Sequence, residues 1–179
     1  MKIIAFGGLI GAGKTTAADF VELQCHRVGK KVTRQPFARF LKSAAQVCGM
    51  SKHEHPEVYR YFCQTIGAYA RSIDPDWWVN LWSASIAVWE SKGNTDTICL
   101  VDDFRFPNEL ELLRQKGAKL FFIQRDDLPF DKSYNHESEA FARNFDPAEY
   151  TDIKVIVNNG NLDEFKKTIF QQVLCEVLI

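Results

Sequence analysis

The stretch GLIGAGKT, residues 8–15, limits how this chain can fold more than any other feature of its sequence. Four residues separate Gly8 from the run Gly13-Lys14-Thr15; a short apolar run precedes the stretch and a segment with helical spacing follows it. Glycines let the backbone curl so that successive N–H groups point inward at an anion, and the following helix directs the positive end of its dipole at the same anion. The stretch therefore predicts a strand–loop–helix unit that binds phosphate within an α/β domain.

Two side chains of this loop suit a nucleotide. We expect Lys14 to place a positive charge at the β- and γ-phosphates, and the Thr15 hydroxyl to bind the Mg²⁺ that accompanies them. The loop alone leaves three uses of the nucleotide open: phosphoryl transfer to a second molecule, hydrolysis as a switch, and binding without chemistry.

The rest of the chain alternates strands with helices. Short apolar runs predict strands at 2–6, 31–35, 97–101, 119–124 and 153–157. Helical spacing predicts helices at 15–28, 38–48, 56–73, 76–91 and 107–116, and a last helix after Asn161. Nearly uniform apolar strands are typical of a parallel sheet that is covered on both faces. We expect residues 1–179 to form one three-layer α/β domain, with an all-helical excursion at 38–91.

Two of these helices carry apolar stripes at helical spacing. The helix at 56–73 has a stripe made of Phe62, Ile66, Tyr69 and Ile73. The last helix is expected to bury a stripe made of Leu162, Phe165, Ile169, Val173 and Val177.

Composition excludes some partners. The formal net charge is −1, which argues against duplex DNA because its binders usually carry a basic surplus. No apolar run approaches the ~18 residues of a membrane-spanning helix, and no signal peptide is apparent. The five cysteines include no C-x-x-C pair, as expected of free thiols in a reducing compartment. We expect a soluble protein of the cytoplasm, or of the host cytoplasm if a phage encodes it.

Cations follow the second predicted strand and recur on the helix at 56–73. Arg39 and Lys42 lie three residues apart in PFARFLK and face the same way; a solvated helix face is the alternative. Arg60, Gln64, Gly67 and Arg71 form a second stripe of the 56–73 helix. A glycine inside a helix costs about 1 kcal/mol relative to alanine, so either a ligand or another helix should approach closely there.

Other candidates lie near the ends of strands, where ligands gather in open parallel sheets. Asp103 and Arg105 follow the third strand; the aspartate could hold a Mg²⁺-bound water or a sugar hydroxyl, and the arginine could span two phosphate groups. Arg125 follows the fourth strand and begins a polar stretch, 125–146, that is expected to form a lid. Within it we expect His136 and Glu139 to shape the lid or its hinge.

The indole of Trp78 has more than one interpretation. It begins the apolar stripe of the helix at 76–91, so it could fill the core, stack on a base, or border both.

Several classes of nucleotide-binding protein fit the sequence poorly. The N-K-x-D motif that reads guanine in GTPase switches is absent, as is an arginine-rich oligomerisation segment of assembly ATPases. The third strand ends CLVDD, so Asp102 or Asp103 could help to organise a metal ion. The small size favours a kinase that transfers a phosphoryl group to a small acceptor.

Five stretches occur in this order: GLIGAGKTTAADF, PFARFLK, QTIGAYARSIDPDWWV, VDDFRFPNELELLRQKGAKLFFIQR and NHESEA. With them the chain resembles the phage-type deoxynucleoside monophosphate kinases of the P-loop superfamily, from residue 1 to about 170. The patterns Q-x-x-G…W-V and D-x-R-F-P-N-E are the more specific parts of the resemblance. Thr15 stands where the family often has aspartate, and the 38–60 region is shorter than in some members, so base preference does not carry over.

The resemblance implies Mg²⁺-dependent transfer of the γ-phosphoryl group of ATP to a deoxynucleoside monophosphate (dNMP), giving ADP and dNDP. It implies a P-loop three-layer α/β/α fold with a five-stranded parallel sheet in the order 2-3-1-4-5 and a helical NMP-binding insertion, often in a homodimer. It places the ATP phosphates at Gly11, Ala12, Gly13, Lys14, Thr15 and Thr16. It places the acceptor among Leu41, Lys42, Gly67, Ala68, Trp78, Asp103, Arg105 and Glu109.

For this reaction we expect in-line transfer without a covalent intermediate, because an acceptor phosphate oxygen is already ionised near neutral pH and needs no general base. Lys14, Arg105 and Arg125 would share the migrating charge with Mg²⁺. One alternative is a P-loop kinase for another small acceptor, such as a dephospho-CoA-like molecule or a small alcohol with Asp103 as base. Another is a nucleotide-binding regulator or an assembly ATPase.

Overall fold

A five-stranded parallel sheet lies at the centre of the protein. The computed structural model describes residues 1–128 and 135–177, the side chain of Val177 excepted. The strands are β1 (Lys2–Gly7), β2 (Val32–Arg34), β3 (Ile98–Val101), β4 (Lys119–Gln124) and β5 (Lys154–Val157). Their order is β2-β3-β1-β4-β5 and every pair is parallel. The predicted fold class and the order 2-3-1-4-5 are confirmed.

Helices cover both faces of this sheet. They are α1 (Lys14–Arg27), α2 (Arg39–Val47), α3 (Pro56–Ile73), α4 (Trp77–Ser91), α5 (Pro107–Gln115), α6 (Ala140–Arg143), α7 (Leu162–Ile169) and α8 (Cys175–Val177). Because strand side chains alternate between the faces, the strands need apolar residues at nearly every position. Ile4 and Phe6 pack on the side of α1 and α7, whereas Ile3 and Ala5 pack on the side of α4 and α5.

The predicted phosphate loop lies between β1 and α1, and two of its glycines are required by close backbone approach. Gly8 has φ 133°, and a Cβ there would lie 2.4 Å from the carbonyl oxygen of Ile123 on β4. Gly13 has φ 110°, and its Cβ would lie 2.7 Å from the amide nitrogen of Asn158, after β5. The two neighbouring strand ends therefore hold this loop in place together with β1.

The last helix differs from its prediction in one respect. A π-helical turn at Phe170–Leu174 separates α7 from α8. A π turn carries an extra residue, and Val173 and Leu174 within this one are both buried. Leu162 was wrongly expected in the buried stripe: it is 52% exposed because the helix begins there, with Asn161 as its cap. The side chain of Val177 lies outside the described residues.

The remaining predictions concern α3 and the polar stretch 125–146. The apolar stripe of α3 faces outward, with Tyr69 65% and Ile73 60% exposed.

The described parts of 125–146 contain a 3₁₀ turn at Glu137–Glu139 and the short helix α6, while residues 129–134 lie outside the described residues. No helix in the described ranges is long and apolar enough to cross a membrane.

Candidate active site

A cavity of about 480 Å³ opens beyond the carboxyl ends of β1, β2 and β3. The phosphate loop forms one side of it, and α2, α3 and α4 form the other. Fourteen residues predicted for the site line it: Gly11, Gly13, Lys14, Thr15, Thr16, Leu41, Lys42, Gln64, Gly67, Arg71, Trp78, Asp103, Arg105 and Glu109. The fold therefore brings the predicted donor and acceptor residues to one space.

Two alanines predicted for the site do not line this cavity. Ala12 is fully buried, and its carbonyl oxygen accepts a hydrogen bond from the Asn158 side chain at 2.8 Å. Ala68 follows Gly67 on α3 and lies outside the lining.

Two predicted arginines also lie away from the cavity wall. Arg39 donates a hydrogen bond to the Gln35 side chain and lies 4.5 Å above the ring of Phe40, beside a neighbouring groove. Arg125 pairs with Asp127 at 2.7 Å. Asp127 is only two residues away, so this pair forms within the loop that follows β4. A catalytic role for Arg125 remains a prediction.

Lys14 occupies the centre of the phosphate loop and is buried. Its Nζ donates hydrogen bonds to the carbonyl oxygens of Gly8 and Leu9, both at 2.7 Å. Burial and, second, the charge of Arg105 lower the pKa of Lys14 from 10.5 to about 7. A phosphate group bound in the loop would favour the charged ammonium again, since a nearby opposite charge offsets the effect of desolvation on the pKa.

Two side chains with oxygen atoms that could coordinate a metal ion, Thr15 and Asp102, lie near this lysine. The Thr15 hydroxyl donates a hydrogen bond to the Asp102 carboxylate at 3.3 Å, and Asp102 is buried at the end of β3. Hydroxyl and carboxylate oxygens are the ligands that Mg²⁺ prefers in proteins, usually together with water and substrate phosphates. Sequence reasoning named Thr15 as the direct metal ligand and left open which of Asp102 and Asp103 helps to organise the ion. The signal for Asp102 was present in CLVDD, but spacing could not decide which of the two aspartates faces the loop.

Asp103 points in another direction and holds the beginning of α2. Its carboxylate accepts hydrogen bonds from the backbone N–H groups of Phe37 at 2.8 Å and Ala38 at 3.2 Å. Lys42, one turn into α2, lies 3.3 Å from the same carboxylate. Asp103 therefore ties the start of the helical excursion to the end of β3.

Arg105 and Glu109 shape the floor between the two sides of the cavity. Glu109 accepts hydrogen bonds from the backbone N–H groups of Arg105 at 2.6 Å and Phe106 at 3.1 Å, and so caps α5. Burial raises the pKa of Glu109 to about 8 and lowers that of Arg105. The guanidinium of Arg105 forms an ion pair with Glu139. The capping carboxylate thus fixes the backbone from which Arg105 extends into the cavity.

The far wall is built by α3 and α4. The indole of Trp78 donates a hydrogen bond to the carbonyl oxygen of Gly67 at 3.1 Å, which fixes the crossing of the two helices. The guanidinium of Arg71 lies 4.1 Å above the ring of Phe106 and 3.2 Å from Glu137. The wall thus combines an indole, a small residue and a fixed cation.

Several lining residues escaped sequence reasoning. Tyr59 and Cys63 on α3 and Phe106 at the start of α5 also line the cavity, and sequence reasoning assigned none of them to the site. Glu139 was noticed in NHESEA without a partner, because its partners come from distant parts of the chain. A group of three or more His, Cys, Asp or Glu side chains able to hold a metal ion is absent from the described residues.

The sheet order, the phosphate loop at the end of its central strand and the opposed cation-bearing wall define a P-loop kinase, a nucleotide-binding phosphotransferase. The chain belongs to the deoxynucleotide monophosphate kinase family, whose model matches residues 42–169.

Two known proteins show the extent of the similarity. A protein of Acanthamoeba polyphaga mimivirus, named "Putative deoxynucleotide monophosphate kinase", is 26% identical over 191 residues, which cover 94% of each chain. Among solved structures, shikimate kinase from Acinetobacter baumannii in complex with shikimate is 13% identical with a TM-score of 0.47, covering 99% of this chain and 93% of the other.

Proposed function

We propose that the protein transfers the γ-phosphoryl group of ATP to a deoxynucleoside monophosphate, giving ADP and the dNDP. One observation carries this proposal: the phosphate loop shares its cavity with a second set of cations, Lys42, Arg71 and Arg105, that belong to other elements. A nucleotide switch or a simple ATPase needs one phosphate site, whereas a kinase with a phosphorylated acceptor needs two. The family to which the chain belongs supports the same acceptor class.

The donor side fits ATP with Mg²⁺. Lys14 and the loop N–H groups would hold the β- and γ-phosphates, and Thr15 with Asp102 would hold the metal ion directly or through water. The ion would neutralise phosphate charge when bound. Asp102 replaces Asp103 as the acid that we assign to the metal, because only Asp102 contacts Thr15 among the described hydrogen bonds.

Catalysis in this proposal is positioning and charge neutralisation. The acceptor phosphate oxygen attacks in line and needs no base, so a carboxylate within reach of it has no proton to remove. Lys14 and Arg105 would both face the path that the phosphoryl group takes, and their charges would stabilise the transition state. Arg125 would join them only by leaving its pair with Asp127 when the predicted lid at 125–146 closes.

The acceptor would lie along α3, and Gly67 supports this placement. A Cβ added at Gly67 would meet its nearest atom, a Leu41 methyl, at 3.4 Å, which is ordinary contact. The protein itself therefore leaves room for alanine, although alanine would suit a helix better by about 1 kcal/mol. The glycine is best explained by a ligand that approaches the helix, with Gln64 and Trp78 beside it.

Gly67→Ala should therefore separate substrate binding from stability. We expect the KM for the dNMP to rise about tenfold or more, because the new methyl group occupies acceptor space, with the KM for ATP unchanged. The melting temperature should stay the same or rise. Thr65→Ala, two residues away on the exposed side of α3, is the matched control and should change neither KM. If the KM for the dNMP were unchanged in Gly67→Ala, the proposed position of the acceptor along α3 would be wrong.

The reaction itself is tested by a panel of acceptors. The purified protein is given ATP and Mg²⁺ with each of the dNMPs, each of the NMPs, a dephospho-CoA-like compound, a small alcohol, or no acceptor, and ADP and the phosphorylated product are separated by chromatography. We expect product with one or more dNMPs. ADP release that is independent of any acceptor would instead indicate an ATPase, and product with only the alcohol or the CoA precursor would indicate another small-molecule kinase.

Two further expectations remain predictions. The resemblance implies a homodimer, and the outward stripe of α3, with Tyr69 and Ile73, is apolar enough to take part in one. The second expectation is that the protein is located in the cytoplasm, where nucleotide substrates are available.

A further inference from the structure

The acidic residue Glu139 joins three separate parts of the chain. It lies at the end of the 3₁₀ turn Glu137–Glu139 and is only 2% exposed. One carboxylate oxygen, Oε1, forms the ion pair with Nη1 of Arg105. The other, Oε2, accepts a hydrogen bond from the backbone N–H of Ile10, 129 positions away in the phosphate loop, at 2.9 Å.

This arrangement needs an ionised carboxylate. Both partners are donors, and each takes a different oxygen, so a neutral amide of the same size would present an NH₂ group to one of them. Ile10 lies between Gly8 and Gly11 of the loop, and Glu139 is the acceptor for its N–H among the described hydrogen bonds. A buried carboxylate with two charge-assisted hydrogen bonds fixes the orientation of both partners more firmly than neutral contacts do.

Its neighbour on the same turn makes a weaker contact. Glu137 pairs with Arg71 at 3.2 Å but is 56% exposed, so that pair is screened by water. His136 caps the turn, since its ring nitrogen accepts the N–H of Ser138 at 3.1 Å. The turn is thus ordered locally, and Glu139 is its one residue that faces both the loop and Arg105 among the described contacts.

We propose that Glu139 is a positioning residue that sets the phosphate loop and the Arg105 guanidinium in one geometry for phosphoryl transfer. This inference rests on the proposed function. Because one oxygen fixes the loop and the other fixes the arginine, the distance between the donor phosphates and the cation on the transfer path depends on a single side chain. An arginine held at Nη1 still has N–H groups on its other nitrogens to direct at phosphate oxygens.

The opposite role is also testable. If Glu139 were only a counter-ion that occupies the phosphate position until the nucleotide arrives, it would compete with substrate, and its removal would lower KM or raise kcat. A positioning residue predicts the reverse: kcat falls and KM changes little, because its loss weakens interactions that form only in the transition state.

The test compares Glu139→Gln with Glu137→Gln, a matched change two residues away on the same turn. For Glu139→Gln we expect kcat to fall by about 10²-fold with the dNMP KM within about threefold of wild type, the size of effect that a small misplacement of reacting groups produces. Glu137→Gln should stay within about fivefold of wild type, as exposed pairs contribute little. A kcat of Glu139→Gln within about threefold of wild type, or above it, would overturn the proposal.

A second measurement does not depend on the reaction. In the unliganded protein, hydrogen exchange of peptides that contain residues 8–13 should be faster in Glu139→Ala than in wild type or Glu137→Ala, because alanine removes both carboxylate oxygens and the Ile10 N–H loses its acceptor. Unchanged exchange would overturn the link to the loop. If wild type proves not to phosphorylate any dNMP, the proposed function fails, while this exchange experiment still tests the link.

Two further variants extend the test, and the first of them keeps it valid if Glu139→Gln folds poorly. Glu139→Asp keeps the charge but shortens the side chain by one methylene, and should still lower kcat by about tenfold or more; full activity would contradict a geometric role. The second variant combines Glu139→Gln with Arg105→Lys. Its kcat should fall by clearly less than the product of the fold-losses in kcat of the two single variants, since both changes act on the same guanidinium. Losses that multiply would show that Glu139 does not act through Arg105.

Discussion

Lys14→Ala is expected to lower kcat by about 10³-fold or more while the protein still folds. The ammonium is held at the centre of the phosphate loop by the carbonyl oxygens of Gly8 and Leu9, and in the proposed reaction it neutralises charge on the migrating phosphoryl group. The fold should survive because alanine suits the start of α1 and because a buried cation, whose pKa burial has already lowered to about 7, is removed rather than introduced. Coupled ADP release gives kcat, and thermal melting gives stability.

The control for this change is Lys30→Ala. Lys30 is exposed just beyond the end of α1, so its removal should leave kcat and melting unchanged. Turnover of Lys14→Ala close to that of wild type would contradict the proposed mechanism, even if the acceptor panel were to support the reaction.

Arg105→Ala is expected to have the second largest effect, with kcat reduced by about 10²- to 10³-fold. This variant should also melt at a lower temperature, because Glu139 is buried and loses its counter-ion; breaking a buried pair from one side costs about 3–5 kcal/mol. Loss of activity in this variant alone would therefore mix a catalytic effect with a structural one.

Arg105→Lys separates the two effects. Lysine keeps a positive charge opposite Glu139 but lacks the planar fork of donors, so we expect melting close to wild type and kcat still lower by about tenfold or more. Arg114→Ala is the control, since Arg114 pairs with Asp152 at 2.7 Å on an exposed surface away from the cavity. Wild-type kcat in both Arg105 variants would exclude the guanidinium from the reaction.

Much of the architecture could be predicted because it depends on local patterns. Apolar runs located the strands and helical spacing located the major helices, and the phosphate loop fixed how β1 meets α1. The order of the strands could not be read from periodicity; it came from resemblance, through motifs such as DDFRFPNE. The π turn at Phe170–Leu174 was missed because a single extra residue in a turn leaves the spacing before it unchanged.

The site was harder to predict wherever a residue's role depends on direction. Two adjacent aspartates at the end of β3 must point to opposite sides, and the structure pairs Asp102 with Thr15 and Asp103 with α2. Arg39 resembled Lys42 in sequence, three residues apart, yet it packs on Phe40 outside the cavity. Glu139 depends on partners in the phosphate loop and after β3, and no local pattern connects positions so far apart.

The hydrogen bonds from the start of α2 to the Asp103 carboxylate bear on how the sequence of α2 could change during evolution. Two of its three partners are backbone N–H groups, at Phe37 and Ala38, which any residue except proline would supply. The anchor therefore places almost no demand on the side chains that follow it. If the far wall binds the acceptor as proposed, mutations along α2 and α3 could alter which base it accepts, while Asp103 keeps the start of α2 in place relative to β3.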